Sequence, residues 1–550
     1  MRKIKKLDTW NIITIIITLT FVLFLVYPLY ALFESGFRDV KTQEFTLDNF
    51  IRFFTKKYYY QTLLRSFTVT ICTTILAVAI GAPLAYLTTI YKIKFKGLIE
   101  VLIIISLLSP PFIGAYSWIL LGGRSGVITK FFLNTFGIRL PSVYGFGGIL
   151  LVLTLKLYPY IYLYTKGALK KVDASLIEAS ESLGCNPWKK VISVVLPLIT
   201  PTILASSLLV FMNALADFGT PMLIGEGYTV MPVLIYGEFI SELGGQANFA
   251  AALAVILVAV TALLFAGQKY IISKKSFTMN SLRPIQSKKA KGVTNILIHV
   301  FLYFVVFLSI IPQLTVIYTS FKATKGAMFT DGFSLDSYRT VFSRLASPII
   351  NTYKFGIIAI VIIIFLAMFI AYITIRKRSF ITSIIDSMTM FPYIIPGSVL
   401  GITLLLAFNK KPMLLSGTAT IIIIAFVVRR LPFTLRSSSA ILYQISPSME
   451  EASISLGDSP MKSFFKITAI MMLPGVVSGA ILSWITIINE LSASVILYTG
   501  HTRTMSVAIY TEVIRASYGT AAAIATILTL TTIVSLLIFF KLTGKKEISI

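Results

Sequence analysis

Glu178-Ala179-Ser180-Glu181-Ser182-Leu183-Gly184-Cys185-Asn186-Pro187 returns later in the chain as Glu451-Ala452-Ser453-Ile454-Ser455-Leu456-Gly457-Asp458-Ser459-Pro460. Glu, Ala, both Ser, Leu, Gly and Pro recur at one constant offset of 273 residues, which also carries Pro201 onto Pro474. Residues Ala168–Leu183 are good helix material, and Gly184 can take the left-handed turn that closes a helix. Pro187 then suits the first turn of a second helix. The sequence therefore predicts a helix–turn–helix lying along a membrane face, too polar to insert. One copy alone would pass for a surface loop packed on its neighbours. Two copies in register point to a pair of docking elements.

The rest of the composition supplies the membrane. Of 550 residues 56% are hydrophobic, only 13% are charged, and the mean hydropathy is +0.86. A soluble chain carries roughly 25% charge, because its surface faces water. Apolar runs of about 20 residues, the length needed to cross lipid as a helix, recur throughout. They read as Asn11–Phe33, Ser66–Ile90, Leu98–Leu121, Phe146–Tyr164, Thr200–Pro221 and Phe249–Ile272. After a basic stretch they resume as Ile296–Tyr318, Thr352–Ile375, Ile384–Phe408, Met413–Val428, Val476–Leu497 and Ala521–Phe540. The expected fold is an all-α integral membrane protein of about twelve spans in two homologous six-span halves. Residues 1–280 form the first half, 281–293 a basic cytoplasmic linker and 294–550 the second half. Met1-Arg-Lys-Ile-Lys-Lys6 precedes an apolar core with no small-residue cleavage site, so the first span reads as uncleaved.

The 49 Lys and Arg against 22 Asp and Glu give a formal charge of +27. On a soluble domain such an excess would point to nucleic acid. Alternate threading instead sends most cations to cytoplasmic loops, including Lys92/Lys94/Lys96, the linker, Arg376-Lys377-Arg378, Arg429-Arg430 and the Lys541–Lys546 tail. Lys156 is left inside a span. This places both chain ends in the cytoplasm and removes nucleic acid as a partner. Two Cys and two His, far apart in sequence, do not form a disulfide framework or a metal cluster.

At the repeated loop the sequence resembles importer-type ABC permeases. Their signature is Glu-Ala-Ala, three residues, Gly, then about a dozen residues ending in Leu-Pro. Glu178-Ala179-Ser180…Gly184…Leu196-Pro197 follows it, with Ser180 for the second Ala. Ser453 does the same in the second copy, where Ala469-Ile470 replaces Leu-Pro. A narrower resemblance is to the fused permeases of ferric-iron uptake. It rests on Ala216-Asp217-Phe218-Gly219-Thr220-Pro221, Ile488-Asn489-Glu490-Leu491-Ser492-Ala493 and Met505-Ser506-Val507-Ala508-Ile509-Tyr510, with Tyr518-Gly519 and Ala521-Ala522-Ala523 beyond. Permeases for thiamine, phosphonate, sugar phosphate and polyamine share much of this pattern.

The resemblance implies a permease of the cytoplasmic (inner) membrane. Glu178, Ala179, Ser180, Gly184, Glu451, Ala452, Ser453 and Gly457 would couple it to two copies of a separate ABC ATPase. An extracytoplasmic binding protein would deliver the solute. No Gly-x-x-x-x-Gly-Lys-Ser/Thr loop occurs, so ATP and Mg would be held by the partner; no cofactor and no enzymatic activity are expected in this chain. The rival class is a twelve-span secondary transporter, which needs no partner ATPase.

Asp217 and Glu490 occupy equivalent positions late in their spans, in the outer third of the membrane by helical rise. An ionisable group at that depth should face the protein interior or an aqueous path. The pair is expected either to line a path for a cation, with transient Fe(III) as the guess and no permanent metal, or to be hydrogen-bonded to nearby Asn213 and Asn489. Pro110-Pro111 and Pro392…Pro396 are expected to break the third and ninth spans. Glu226, Glu238, Glu242 and Glu512 read as outer docking points or as solvated loop charges. Tyr27, Tyr86 and Tyr372 read as packing and interface residues.

Overall fold

A computed structural model describes residues 9–39, 42–107, 109–110, 113–240, 246–273, 283, 285–326 and 328–543. The first half contains α1 (Thr9–Gly36), α2 (Lys57–Ile90), α3 (Lys96–Leu107), α4 (Ile113–Gly122) and α5 (Phe146–Leu169). It continues through α6 (Ala174–Ser182), α7 (Leu196–Ala216), α8 (Gly219–Ile224) and α9 (Ala247–Ser273). The second half begins with α10 (Gly292–Ser320) and a short antiparallel hairpin of β1 (Lys322–Lys325) with β2 (Met328–Phe333). Then follow α11 (Ala346–Arg376), α12 (Phe380–Ile394), α13 (Gly397–Ala407), α14 (Ala419–Leu442) and α15 (Ser448–Ser455). The last helices are α16 (Ala469–Ile488), α17 (Ser494–Leu497) and α18 (Tyr518–Thr543).

Nine helices among the described residues are long and apolar enough to cross a membrane. The pair α12–α13, bent by 113°, is a tenth. The other two expected spans depart from that pattern for identifiable reasons. The third is divided into α3 and α4, with Pro110 in the gap and Pro111 outside the described residues. The expected span Met413–Val428 is displaced. Its helix is Ala419–Leu442, the 273-residue image of α5, and its three arginines keep its apolarity low. Pro396 caps α13 at the α12–α13 break, whereas Pro392 lies inside α12, one turn earlier. The continuous helix expected from Ala168 to Leu183 is also corrected. The chain turns after Leu169, and the Asp173 side chain caps α6 by accepting the Ser175 N–H at 2.9 Å.

The packing crosses the boundary between the sequence halves. Within each half α2 packs on α5 and α7, and α11 on α14 and α16. But α1 packs against α11 and α12, while α10 packs against α3, α4 and α18. Trp10 of α1 is buried, with its ring 4.0 Å from that of Tyr372 and 5.3 Å from that of Phe464. Ile298, Leu302 and Val305 of α10 join the core formed by α2 and α5. Each first helix thus packs both on its own half, α1 on α9 and α10 on α18, and on the other half, so it bridges the two.

The linker is docked rather than free. The Lys288 N–H donates to the Ile90 carbonyl at 2.8 Å, and its own carbonyl accepts from the Lys92 N–H at 3.0 Å. The Arg283 N–H reaches the Asp173 carboxylate at 3.2 Å, and its carbonyl accepts from the Ala174 N–H at 2.9 Å. These bonds strap described linker residues against the end of α2 and the start of α6.

Candidate functional site

Two sites follow from the repeat: paired loops on one face and a cavity between the halves. In the loops, α6 closes at Gly184 with φ +77°, the left-handed conformation expected there, and α15 closes the same way at Gly457 with φ +97°. The same bonds close each turn. Leu183 N–H donates to Ala179 and Cys185 N–H to Ser180, as Leu456 does to Ala452 and Asp458 to Ser453. Ser180 and Ser453 are buried against the loop. Glu178, Ala179, Glu451 and Ala452 are exposed. Leu183 is 84% exposed and Leu456 90% exposed, so each turn presents a bare apolar tip. A π-turn, Val191–Val195 or Phe464–Thr468, then leads into α7 or α16 at the same register. It forms with Ile470 as well as with Pro197, so backbone packing and not proline sets the bend.

The loop charges are locally neutralised. The Glu181 carboxylate accepts from the Lys190 ammonium, which holds it below its ordinary value; Lys288 at 3.7 Å adds to this. In the second loop Lys462, at 2.7 Å, and the Ser453 hydroxyl do the same for Asp458.

The cavity is built by equivalent elements of both halves and has a volume of about 180 Å³. Its lining includes Lys156 and Tyr160 from α5, Asn213 from α7, and Asp217 at the end of α7. Facing them are Arg429, Arg430 and Phe433 from α14, and Asn489 and Glu490 after α16. Ser109 and Pro392 adjoin it, so both broken spans border the same space. Lys156 Nζ lies 2.7 Å from Asp217 Oδ2, and Arg429 Nη1 lies 2.5 Å from Glu490 Oε1. Both pairs span 61 residues of sequence, and they are images of one another at the repeat offset. Arg430 also donates to the second oxygen of Glu490. The remaining carboxylate capacity goes to backbone: Thr220 N–H donates to Asp217 at 2.8 Å, and Ala493 N–H to Glu490 at 3.2 Å.

This arrangement corrects the sequence reading in three respects. Arg429 and Arg430 do not lie in a loop; they occupy the middle of α14. Asp217 and Glu490 do not bond to Asn213 or Asn489, whose amides donate instead to the Leu209 and Ile485 carbonyls at 2.7 and 2.9 Å. And the acids do not form a bare anionic pair, since three cations accompany two carboxylates. Lys156 is ten residues into α5, about 15 Å along a 24-residue helix, and its partner must share that depth. Burying such charges in low dielectric is costly unless they are paired, and pairing is what the structure provides. Equivalent aromatics, Tyr160 and Phe433, sit one turn nearer the loop face, and Tyr393 packs edge-on against Phe433 at 5.7 Å.

The outer acids divide. Glu512 is fully buried and paired with Arg344 at 2.9 Å, so it offers no docking point. Glu226 is paired with Arg124 at 2.5 Å on the surface, Glu238 is half-buried, and Glu242 lies outside the described residues. Sequence reasoning missed the cationic half of the cavity. The signal was present, because the offset that relates Asp217 to Glu490 also relates Lys156 to Arg429.

Residues 77–276 and 363–546 each match the family described as binding-protein-dependent transport system inner membrane component. Similarity extends to the ferric transport system permease protein FbpB of Actinobacillus pleuropneumoniae. It is 30% identical over 96% of this chain and 77% of that protein. A putative ferric transport system permease protein FbpB 1 of Haemophilus influenzae is 30% identical over 87% of this chain and 76% of that one. A solved bacterial ABC transporter that imports alginate is similar over 49% of this chain and 96% of its own, at 15% identity and a TM-score of 0.42.

Proposed function

Because the chain belongs to the family of binding-protein-dependent transport system inner membrane components, with the domain present twice, we propose that it is the fused permease of a ferric-iron ABC importer. Membership sets aside the secondary transporter as a class. In this reading the cargo arrives from an extracytoplasmic binding protein, and two copies of a separate ATPase, carrying ATP and Mg, dock on α6 and α15. The observation that carries the coupling half is the pair of equivalent loops on one face. Each exposes a leucine tip and a glutamate, Leu183 with Glu178 and Leu456 with Glu451. Exposed apolar tips of this kind gain stability when a partner groove covers them. Trp188, 79% exposed, widens the first of these surfaces.

The loop face is the cytoplasmic one in this reading, and the first and last described helices reach toward it. Trp10 packs on Phe464 beside the second loop, and Phe539 of α18 packs in a cluster with Leu163 near the end of α5. Closure of the ATPase pair would draw α6 and α15 together and transmit the movement through the shared cores to the cavity walls. For the cargo, the names of the ferric permeases support iron. The cationic excess of the cavity disfavours the cationic alternatives, thiamine and polyamine. Purification of the complex from membranes of its own host tests the assignment. The expected result is a co-purifying nucleotide-binding subunit whose ATP hydrolysis responds to the loaded binding protein. A stable complex without such a subunit would refute it.

A further inference from the structure

The charges of the cavity say in what form its cargo crosses. All four oxygens of Asp217 and Glu490 are already engaged, by Lys156, Arg429, Arg430 and two backbone N–H groups. Each carboxylate oxygen is thus already charge-compensated or hydrogen-bonded rather than bare. With three cations and two carboxylates, the space carries a formal excess of one positive charge. That excess has a single source. Position 157 on the first wall is Leu, whereas its image on the second wall is Arg430, and both line the cavity. The Arg430 Nε–H has no hydrogen-bond partner among the described residues. A bare trivalent cation would meet net repulsion here, with only neutral oxygens such as Asn489 Oδ1 free of a hydrogen-bond partner. A guanidinium, by contrast, matches carboxylate and phosphate oxygens in a planar fork.

We infer that this cavity passes ferric iron as a complex wrapped in phosphate or carboxylate oxygens, and that Arg430 is the residue that reads this anionic shell. The inference rests on the ferric reading above and adds the identity of the travelling species. Iron and its oxyanion would move together, with the oxidation state unchanged. Lys156 and Arg429 would each keep a carboxylate partner, while Arg430 exchanges part of its bond to Glu490 for the shell.

Cells that retain the partner subunits would be given 55Fe(III) complexed with 33P-phosphate, and separately with 14C-citrate. Cells lacking this chain set the background. The expected result is that chain-dependent iron entry brings one of the two counter-labels with it at a fixed ratio. Arg430→Leu, which copies the first wall, should lower entry of both labels about tenfold, the equivalent of one lost charged hydrogen bond. Glu490 keeps Arg429 and the Ala493 N–H in that variant, and chain abundance in the membrane is measured alongside. Arg430→Lys keeps the charge but loses the planar fork, so its rate should fall between those of wild type and Arg430→Leu. The wild-type label ratio depends on no variant folding. Iron entering with neither counter-label, or Arg430→Leu transporting at the wild-type rate, overturns the inference and leaves the ferric reading standing. No chain-dependent 55Fe entry in either arm overturns the ferric reading itself.

Discussion

The two walls of the cavity share backbone addresses but not charges. On α5 and α7 a lysine meets an aspartate, Lys156 with Asp217; on α14 and α16 two arginines meet a glutamate, Arg429 and Arg430 with Glu490. The carboxylate of each wall also accepts the N–H three residues onward, from Thr220 or Ala493, which starts α8 or α17. What the fold demands at these positions is a neutralised ion pair that ends one helix and starts the next. The residue types filling it are free to differ, and the extra guanidinium belongs to one wall only. The second wall is also the drier, with Glu490 3% exposed against 10% for Asp217, and Arg429 15% against 29% for Lys156.

That difference ranks the expected losses. Glu490→Ala strands two buried guanidinium groups and should cost roughly 3–5 kcal/mol. Thermal unfolding in detergent and recovery of the chain from membranes should both fall sharply. Asp217→Ala strands one partly exposed ammonium and should cost about 1–3 kcal/mol by the same assay. Adding Lys156→Ala should recover part of that loss, read as a positive coupling in a double-mutant cycle. A larger loss at Asp217 than at Glu490 would break the comparison. Below these come the turns. Gly184→Ala and Gly457→Ala force a side chain into left-handed backbone and should each cost about 1–2 kcal/mol, equally in the two halves.

The loops themselves should part company with pH. Glu181 and Asp458 are held below their ordinary values of 4.5 and 3.8 by lysine partners. Their ion pairs therefore favour the folded loop fully above those values and lose that advantage as pH falls through the lowered ones. Hydrogen exchange, corrected for its intrinsic pH dependence, should be steady in both loops at neutral pH. Loosening should begin below 4.5 in the first loop and only below 3.8 in the second. The smallest effect is expected at Pro197→Ile, which copies the second half. Its π-turn already forms with Ile470, so transport should stay within about twofold, a change under 0.5 kcal/mol.

Much of this was legible in the sequence because it depends on local chemistry repeated twice. Gly184 announced its turn, and the apolar runs announced most of the spans at nearly the right place. The miss at Met413–Val428 came from reading apolarity alone. Arg429 and Arg430 look like loop residues until a partner 60 residues away neutralises them, and no window of 20 residues contains that partner. The repeat offset would have placed this helix correctly, since it maps Phe146–Leu169 onto Ala419–Leu442. The same blindness made Asp217 and Glu490 look like open acids. The crossing of α1 and α10 onto opposite halves was not legible at all, because it depends on which apolar faces meet and every face is apolar.

The most direct test is the initial rate of 55Fe(III) uptake in cells lacking the chain, restored either with wild type or with Glu178→Lys combined with Glu451→Lys. The wild-type chain should restore uptake. The double variant, inserted in the membrane at normal abundance, should leave uptake at the deletion background. Equal uptake with and without the chain, or full restoration by the double variant, would contradict a ferric permease driven through these two loops.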